Sequence, residues 1–384
     1  MTDRSKFLFS LKLVGIQFFL VFACAYFRFF NLTHWDGEWY RQIVEVGYNA
    51  VHSADPFAEG KGNVGFFPGY PLAVYIVKKI LGFGTDRFPT TGALLLVSNG
   101  FAVLTWYFLQ KWIELIDPIE QKPAVQKAKL FLLAFYPFIF FLYCAYTESL
   151  FISMTLGFIY FSEKVIREDD QKKSFRFLLL ALVCGFEMNL TRLLGIVMVA
   201  YPILRALQTR EKIKRSLLLA AGTLLSPVSF FFYCWLKFGA WDFYFQTELA
   251  IWGTYIDIGR LFPPKTLFDF HRPLYSNTMG KYVTILTGFF LTAKLIELLK
   301  QKLWLEPFFA IVLVCGMMWG EYLLGRTSWD YVGMGRYLIP VFALILPFLK
   351  IEPKFNWKWA AFSVLMIGFQ IAYALKFGRH GWVA

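Results

Sequence analysis

Four short motifs carry side chains fit for chemistry: Thr33-His34-Trp35-Asp36-Gly37-Glu38-Trp39-Tyr40, Tyr146-Thr147-Glu148, Thr191-Arg192 and Arg336-Tyr337. A carboxylate can accept a proton or hold a divalent ion, and a guanidinium presents a planar two-donor fork to phosphate oxygens. Ionised groups are costly beside hydrocarbon, so acids and arginines at the edges of apolar stretches need a reason. Each also has a plain structural reading. Thr33 lies three residues before Asp36, the spacing of a capping box, in which the carboxylate would only close a helix start. Glu38, with Arg41 three residues on, reads as a solvated helix face. Thr147 and Glu148 read as an N-cap pair, and Arg192 as a snorkelling interfacial residue. Taken singly, these readings leave unexplained why Asp36, Glu148, Arg192 and Arg336 all fall near span ends on one side of a membrane.

That side follows from composition. Of 384 residues 58% are apolar and only 17% are charged, against roughly 25% charged in soluble domains. This excludes disorder, collagen and soluble coiled coil, and predicts an all-α polytopic membrane protein, a single integral membrane domain over 1–384. Eleven crossings are expected near 13–30, 91–110, 129–143, 148–163, 176–190, 192–207, 216–238, 282–299, 305–324, 336–350 and 359–377. The apolar stretch 66–82 carries Pro68, Gly69, Pro71, Lys78 and Lys79 and is expected to be re-entrant or interfacial. With the N-terminus inside, the cytoplasmic loops hold 22 Lys and Arg in 69 residues and the opposite loops 14 in 130, the positive-inside bias. The net charge of +13 therefore belongs to cytoplasmic loops and not to a nucleic-acid-binding face. Ala23-Cys24-Ala25 has the small residues of a cleavage site, but the apolar run continues to Phe30, so an uncleaved anchor is expected. The large external loops are 31–90 and 239–281.

In the first of these, Trp35, Trp39, Ile43 and Val46 fall within about 80° on a helical wheel, with Gly47 as the stop. This predicts an amphipathic helix on the membrane surface. Asp36 and Glu38 then point about 160° apart, so both reach one site only if Asp36 sits in the turn before the helix. A divalent metal on Asp36-Gly37-Glu38 is thereby disfavoured, though not settled. His34, His52, His271 and His380 are not spaced as a helical ligand pair, and the five cysteines form no CxxC, so no metal site is assigned. The sequons at Asn31 and Asn189 lie close to the bilayer.

Trp35-Asp36-Gly37-Glu38-Trp39-Tyr40 with Gly47-Tyr48, Phe66-Phe67-Pro68 with Tyr70-Pro71, Tyr146-Thr147-Glu148-Ser149-Leu150, Thr191-Arg192 with Gly195, and Arg336-Tyr337 with Pro340 resemble, in this order, the GPI mannosyltransferase II (PIG-V-like) family of the GT-C glycosyltransferase superfamily. The resemblance implies a lumenal or external site, a polyprenyl- or dolichyl-phosphate sugar donor, typically mannose, and a lipid or glycan hydroxyl acceptor. It places the acidic motif of the first external loop at Asp36, the expected general base for inverting transfer. Arg192 and Arg336 are then expected at the leaving phosphate. Tyr337 and His34 add hydrogen bonds, Glu148 orients the acceptor or Arg192, and Glu38 and Tyr146 complete the substrate contacts. The chain lacks the large lumenal insertions of eukaryotic relatives, so a bacterial plasma membrane is expected before the endoplasmic reticulum. The rival readings are a transporter or lipid flippase, which would show paired halves with broken helices, and a GT-C enzyme using another polyprenyl-phosphate sugar.

Overall fold

The computed structural model describes residues 2–49, 62–82, 87–116, 123–252, 278–306, 308–310, 334–350 and 357–381. Six helices there are long and apolar enough to cross a membrane: α1 (Asp3–Cys24), α4 (Arg87–Ile116), α6 (Glu148–Arg167), α7 (Gln171–Thr191), α9 (Ile213–Phe238) and α13 (Trp357–Gly378). Between them lie α2 (Asp36–Val46), α3 (Gly69–Ile80), α5 (Pro123–Ala134), α8 (Ala200–Thr209), α10 (Phe243–Trp252), α11 (Thr278–Lys300) and α12 (Met334–Ile345). Among the described residues there is no strand, and the chain is an all-α polytopic membrane protein. The expected span 305–324 beyond Ala310, Trp329-Asp330, His52, His271 and most of the loop 239–281 lie outside the described residues.

The bundle is organised around α6, of which nearly every residue is buried, from Glu148 to Ile166. It packs between α4 and α7, and α7 packs in turn on α9. The outer helices keep apolar side chains on the surface, as a lipid solvent requires: Ile16 and Phe19 on α1, Leu225 and Val228 on α9, Val364 and Leu365 on α13.

Three expected spans differ in form. The first runs from Asp3, capped by the Thr2 hydroxyl that accepts from the Ser5 amide, to Cys24 instead of Phe30. Tyr26 and Phe27 have φ of 55° and 56°, which no α-helix accommodates. The stretch 129–143 is broken: α5 stops at Ala134, and a 3₁₀ turn, Ile139–Tyr143, follows. Pro137 lacks an amide hydrogen and disfavours helical geometry at Tyr136, which is sufficient reason. The stretch 192–207 likewise starts as a 3₁₀ segment, Leu193–Val199, before α8.

The stretch 66–82, expected to be re-entrant or interfacial, forms the short helix α3. The twelve residues of α3 rise only about 18 Å, too short for a hydrocarbon core of about 30 Å. Lys78, buried on it, donates to the Thr90 hydroxyl at 2.7 Å.

Candidate active site

The segment that leads into α2 is fastened to the turn before α6. The Ala145 amide donates to the Leu32 carbonyl at 2.9 Å, and the Tyr146 hydroxyl donates to the His34 carbonyl at 3.1 Å. These contacts fix the chain just where α2 begins. Gly37 sits so close to Ala145 that an added Cβ would lie 3.2 Å from its carbonyl oxygen. The cap is Trp35, at φ 59°, ψ −114°, a backbone conformation that a bulky residue adopts only under constraint and that costs about 1–3 kcal/mol. No side chain caps this helix; the Thr33 hydroxyl donates instead to the Phe30 carbonyl at 2.9 Å. The capping-box reading of Asp36 is therefore wrong. Asp36 is the first helical residue and its carboxylate is available for other partners.

Those partners come from distant parts of the chain. Arg336, at the start of α12, donates from Nη1 to Asp36 Oδ2 at 2.7 Å, and its Nε lies 3.6 Å from Glu148 Oε1. Arg192, at the end of α7, donates from Nη2 to the same Glu148 oxygen at 2.6 Å and from Nε to the Thr147 hydroxyl at 2.8 Å. Glu148 is 1% exposed, and its Oε2 is buried without a hydrogen-bond partner. Thr147 precedes α6 without capping it through its side chain, so the N-cap reading of Thr147-Glu148 fails too. Two acids and two arginines thus form one nearly neutral chain, Asp36–Arg336–Glu148–Arg192, in which both cations are spent on carboxylates.

Tyrosines wall this chain. The Arg336 guanidinium lies over the rings of Tyr337, Tyr146 and Phe141 at 5.0, 5.3 and 5.7 Å, and donates to the Tyr337 hydroxyl at 3.1 Å. Arg192 lies 5.7 Å from the Tyr337 ring. Such stacking holds a guanidinium plane while leaving its edge donors free to exchange partners. Tyr40, which sequence reasoning missed, belongs here as well. Its buried hydroxyl lies near Thr147 and within electrostatic reach of Asp36, Arg192 and Glu148. Burial first, then the Asp36 carboxylate, push its acidity well away from the working range, so it remains a neutral hydroxyl. The same two causes act on Tyr146.

Two expected contacts are not brought into the cluster. Glu38 accepts from Arg41 at 2.7 Å, and Arg41 also holds Glu45 at 2.5 Å, all three half-buried along α2. Helical periodicity likewise places Glu38 away from Asp36. His34 contributes its carbonyl, while its ring lies tilted against that of His380, centroids 3.5 Å apart. Among the described residues no three His, Cys, Asp or Glu side chains gather as a metal site.

Gly69 welds α3 to the corner bearing Arg192. A Cβ there would meet the Thr191 hydroxyl at 2.7 Å and the Leu190 carbonyl carbon at 2.8 Å.

No family model matches the chain, and no curated protein matches it. Its fold is similar to that of the Archaeoglobus fulgidus oligosaccharyltransferase: TM-score 0.51 against the apo form, at 11% identity, over 98% of this chain and 56% of that one. Structures of that protein tethered with an acceptor peptide, and in complex with an inhibitory peptide and a dolichol-phosphate, give 0.49 and 0.47 at 12% and 13% identity, covering 97% and 98% of this chain and 55% and 56% of those chains. The chain spans a little over half the length of these neighbours. The likeness to the apo form establishes a shared fold.

Proposed function

We propose that this chain is an inverting membrane glycosyltransferase that moves a sugar, mannose by the motif resemblance, from a polyprenyl-phosphate donor to a lipid or glycan hydroxyl at the outer face. The observation that carries the reading is the bridge by which Arg336 joins Asp36 to Glu148 beside Arg192, at one end of the bundle. Asp36 is the general base, a role worth about 10² to 10⁴ in rate. It takes the acceptor's hydroxyl proton while the acceptor oxygen bonds to the anomeric carbon. The bond from that carbon to the phosphate oxygen breaks, and its electron pair leaves with the polyprenyl phosphate.

The charge chain gives this step an electrostatic logic. In the resting site Arg336 is compensated by Asp36. As the proton arrives, Asp36 loses its charge just as the phosphate gains one. Arg336 then turns its uncompensated charge to the leaving group, with Arg192 beside it, and the net charge of the pocket is conserved. Fixed donors that meet developing charge in a water-poor pocket lower the barrier more than any other single effect in many such reactions. Glu148, buried between both arginines, sets their positions. Tyr40 and Tyr337 are neutral hydroxyls suited to sugar or phosphate oxygens. A donor whose tail stays in hydrocarbon explains why the site lies at span ends.

The test is product analysis. Purified protein given polyprenyl-phosphate mannose and a membrane lipid extract should yield a product heavier by one hexose. Absence of transfer from every polyprenyl-phosphate sugar supplied, with substrate uptake in vesicles, would replace this reading with transport.

A further inference from the structure

The opposite end of the bundle holds a second charged feature that the transfer chemistry does not use. The turns between α6 and α7 and between α8 and α9 meet around a hollow of about 470 Å³ lined by Asp169, Gln171, Arg210, Lys212, Lys214 and Arg215. Four cations face one acid. The hydrogen bonds of two of them go to neutral oxygens: Lys212 donates to the Glu168 carbonyl and Arg215 to the Ser174 hydroxyl. Neither bond neutralises charge. Three further acids, Glu168, Asp170 and Glu211, lie within one residue of the lining without belonging to it, and Asp170 is committed to capping α7, accepting from the amides of Lys172 and Lys173 at 2.8 and 3.2 Å. Arg210 and Lys214 are exposed. The turn also holds Arg210 and Lys212 at φ 59° and 48°, in the left-handed region that L-residues rarely enter, and so draws the cations together.

The surface above the hollow says what kind of anion fits. Ile213 lies at its mouth, and Phe175 on α7 and Leu217 and Leu218 on α9 stand exposed within one or two turns. The mouth therefore opens where a basic loop meets an apolar, bilayer-facing belt, at headgroup level on the face with the denser Lys and Arg. We infer that this cleft binds the phosphate headgroup of an anionic phospholipid. Its phosphate bonds to Arg210 and Lys214, with Lys212 and Arg215 behind, while its acyl chains lie along α7 and α9. This inference does not depend on the proposed activity.

Native mass spectrometry of the full-length purified protein, titrated with phosphatidylglycerol or phosphatidylcholine, tests it. Phosphatidylglycerol is retained preferentially. Arg210→Gln with Lys214→Gln weakens that retention about thirtyfold, roughly fivefold for each lost cation near an anionic lipid. Arg210→Lys with Lys214→Arg retains it, which excludes misfolding as the cause. Arg4→Gln with Lys12→Gln, exposed cations elsewhere on the same face, leaves it unchanged. Equal retention of phosphatidylcholine, equal loss in the Arg4 and Lys12 pair, or full competition by inorganic phosphate would each overturn the proposal.

Discussion

In the proposed mechanism Arg336 carries two duties, holding Asp36 in the resting site and receiving phosphate charge as the sugar leaves, and only a flat guanidinium with several donors can change partners in this way. Arg336→Lys keeps the charge but not the fork. Transfer should fall by at least about tenfold, the equivalent of one lost charge-assisted hydrogen bond of about 1.5–3 kcal/mol, in a steady-state assay, and an unchanged rate would show that the fork is idle. Glu148→Gln removes the acid shared by Arg192 and Arg336 and leaves like charges adjacent in a buried place, a loss of about 3–5 kcal/mol. A fall in melting temperature should accompany the fall in activity, in contrast to substitutions at Asp36. The charged members of this site were legible in the sequence because acids and arginines stand out against hydrocarbon. Tyr40 was not, because an aromatic on an amphipathic surface helix looks the same whether it anchors in lipid or faces a carboxylate. Glu38, expected as a substrate contact, pairs with Arg41, three residues on.

Elements position these side chains through close backbone approach more than through regular packing. Gly69 shows this best: the N-terminus of α3 rests on Leu190 and Thr191, one residue from Arg192. Gly69→Ala forces atoms within 2.8 Å of a Cβ to move, and overpacking of this kind costs about 1–3 kcal/mol. A lowered melting temperature together with reduced transfer is expected, and a thermal scan beside the activity assay checks both. Most long spans were legible from apolar length alone, and α2 from its wheel. The breaks were not, because hydropathy registers burial and not geometry: Phe138 to Tyr143 are as apolar as any helix but follow Pro137 into a 3₁₀ turn. The cap of α2 was misread as well, because Thr33-x-x-Asp36 has capping spacing while the anchoring of Leu32 and His34 to the next loop places Trp35 at the cap.

Across the whole molecule the two ends differ in chemistry. One gathers Asp36, Glu148, Arg192 and Arg336; the other carries the basic hollow, and a buried Glu163 that takes both Arg167 and Arg205 at 2.9 and 2.8 Å. Their separation predicts that membrane-impermeant thiol reagents reach Asp36→Cys and Lys214→Cys from opposite sides of sealed vesicles. Labelling of both from one side would contradict the placement of the two sites on opposite faces of the membrane. The direct measurement of the central claim is the turnover of Asp36→Asn with a polyprenyl-phosphate sugar donor. Asparagine keeps the shape and an oxygen for Arg336 but cannot take the acceptor's proton. The proposed mechanism requires transfer to drop at least about a hundredfold with melting near that of the unaltered protein; turnover close to normal would contradict it.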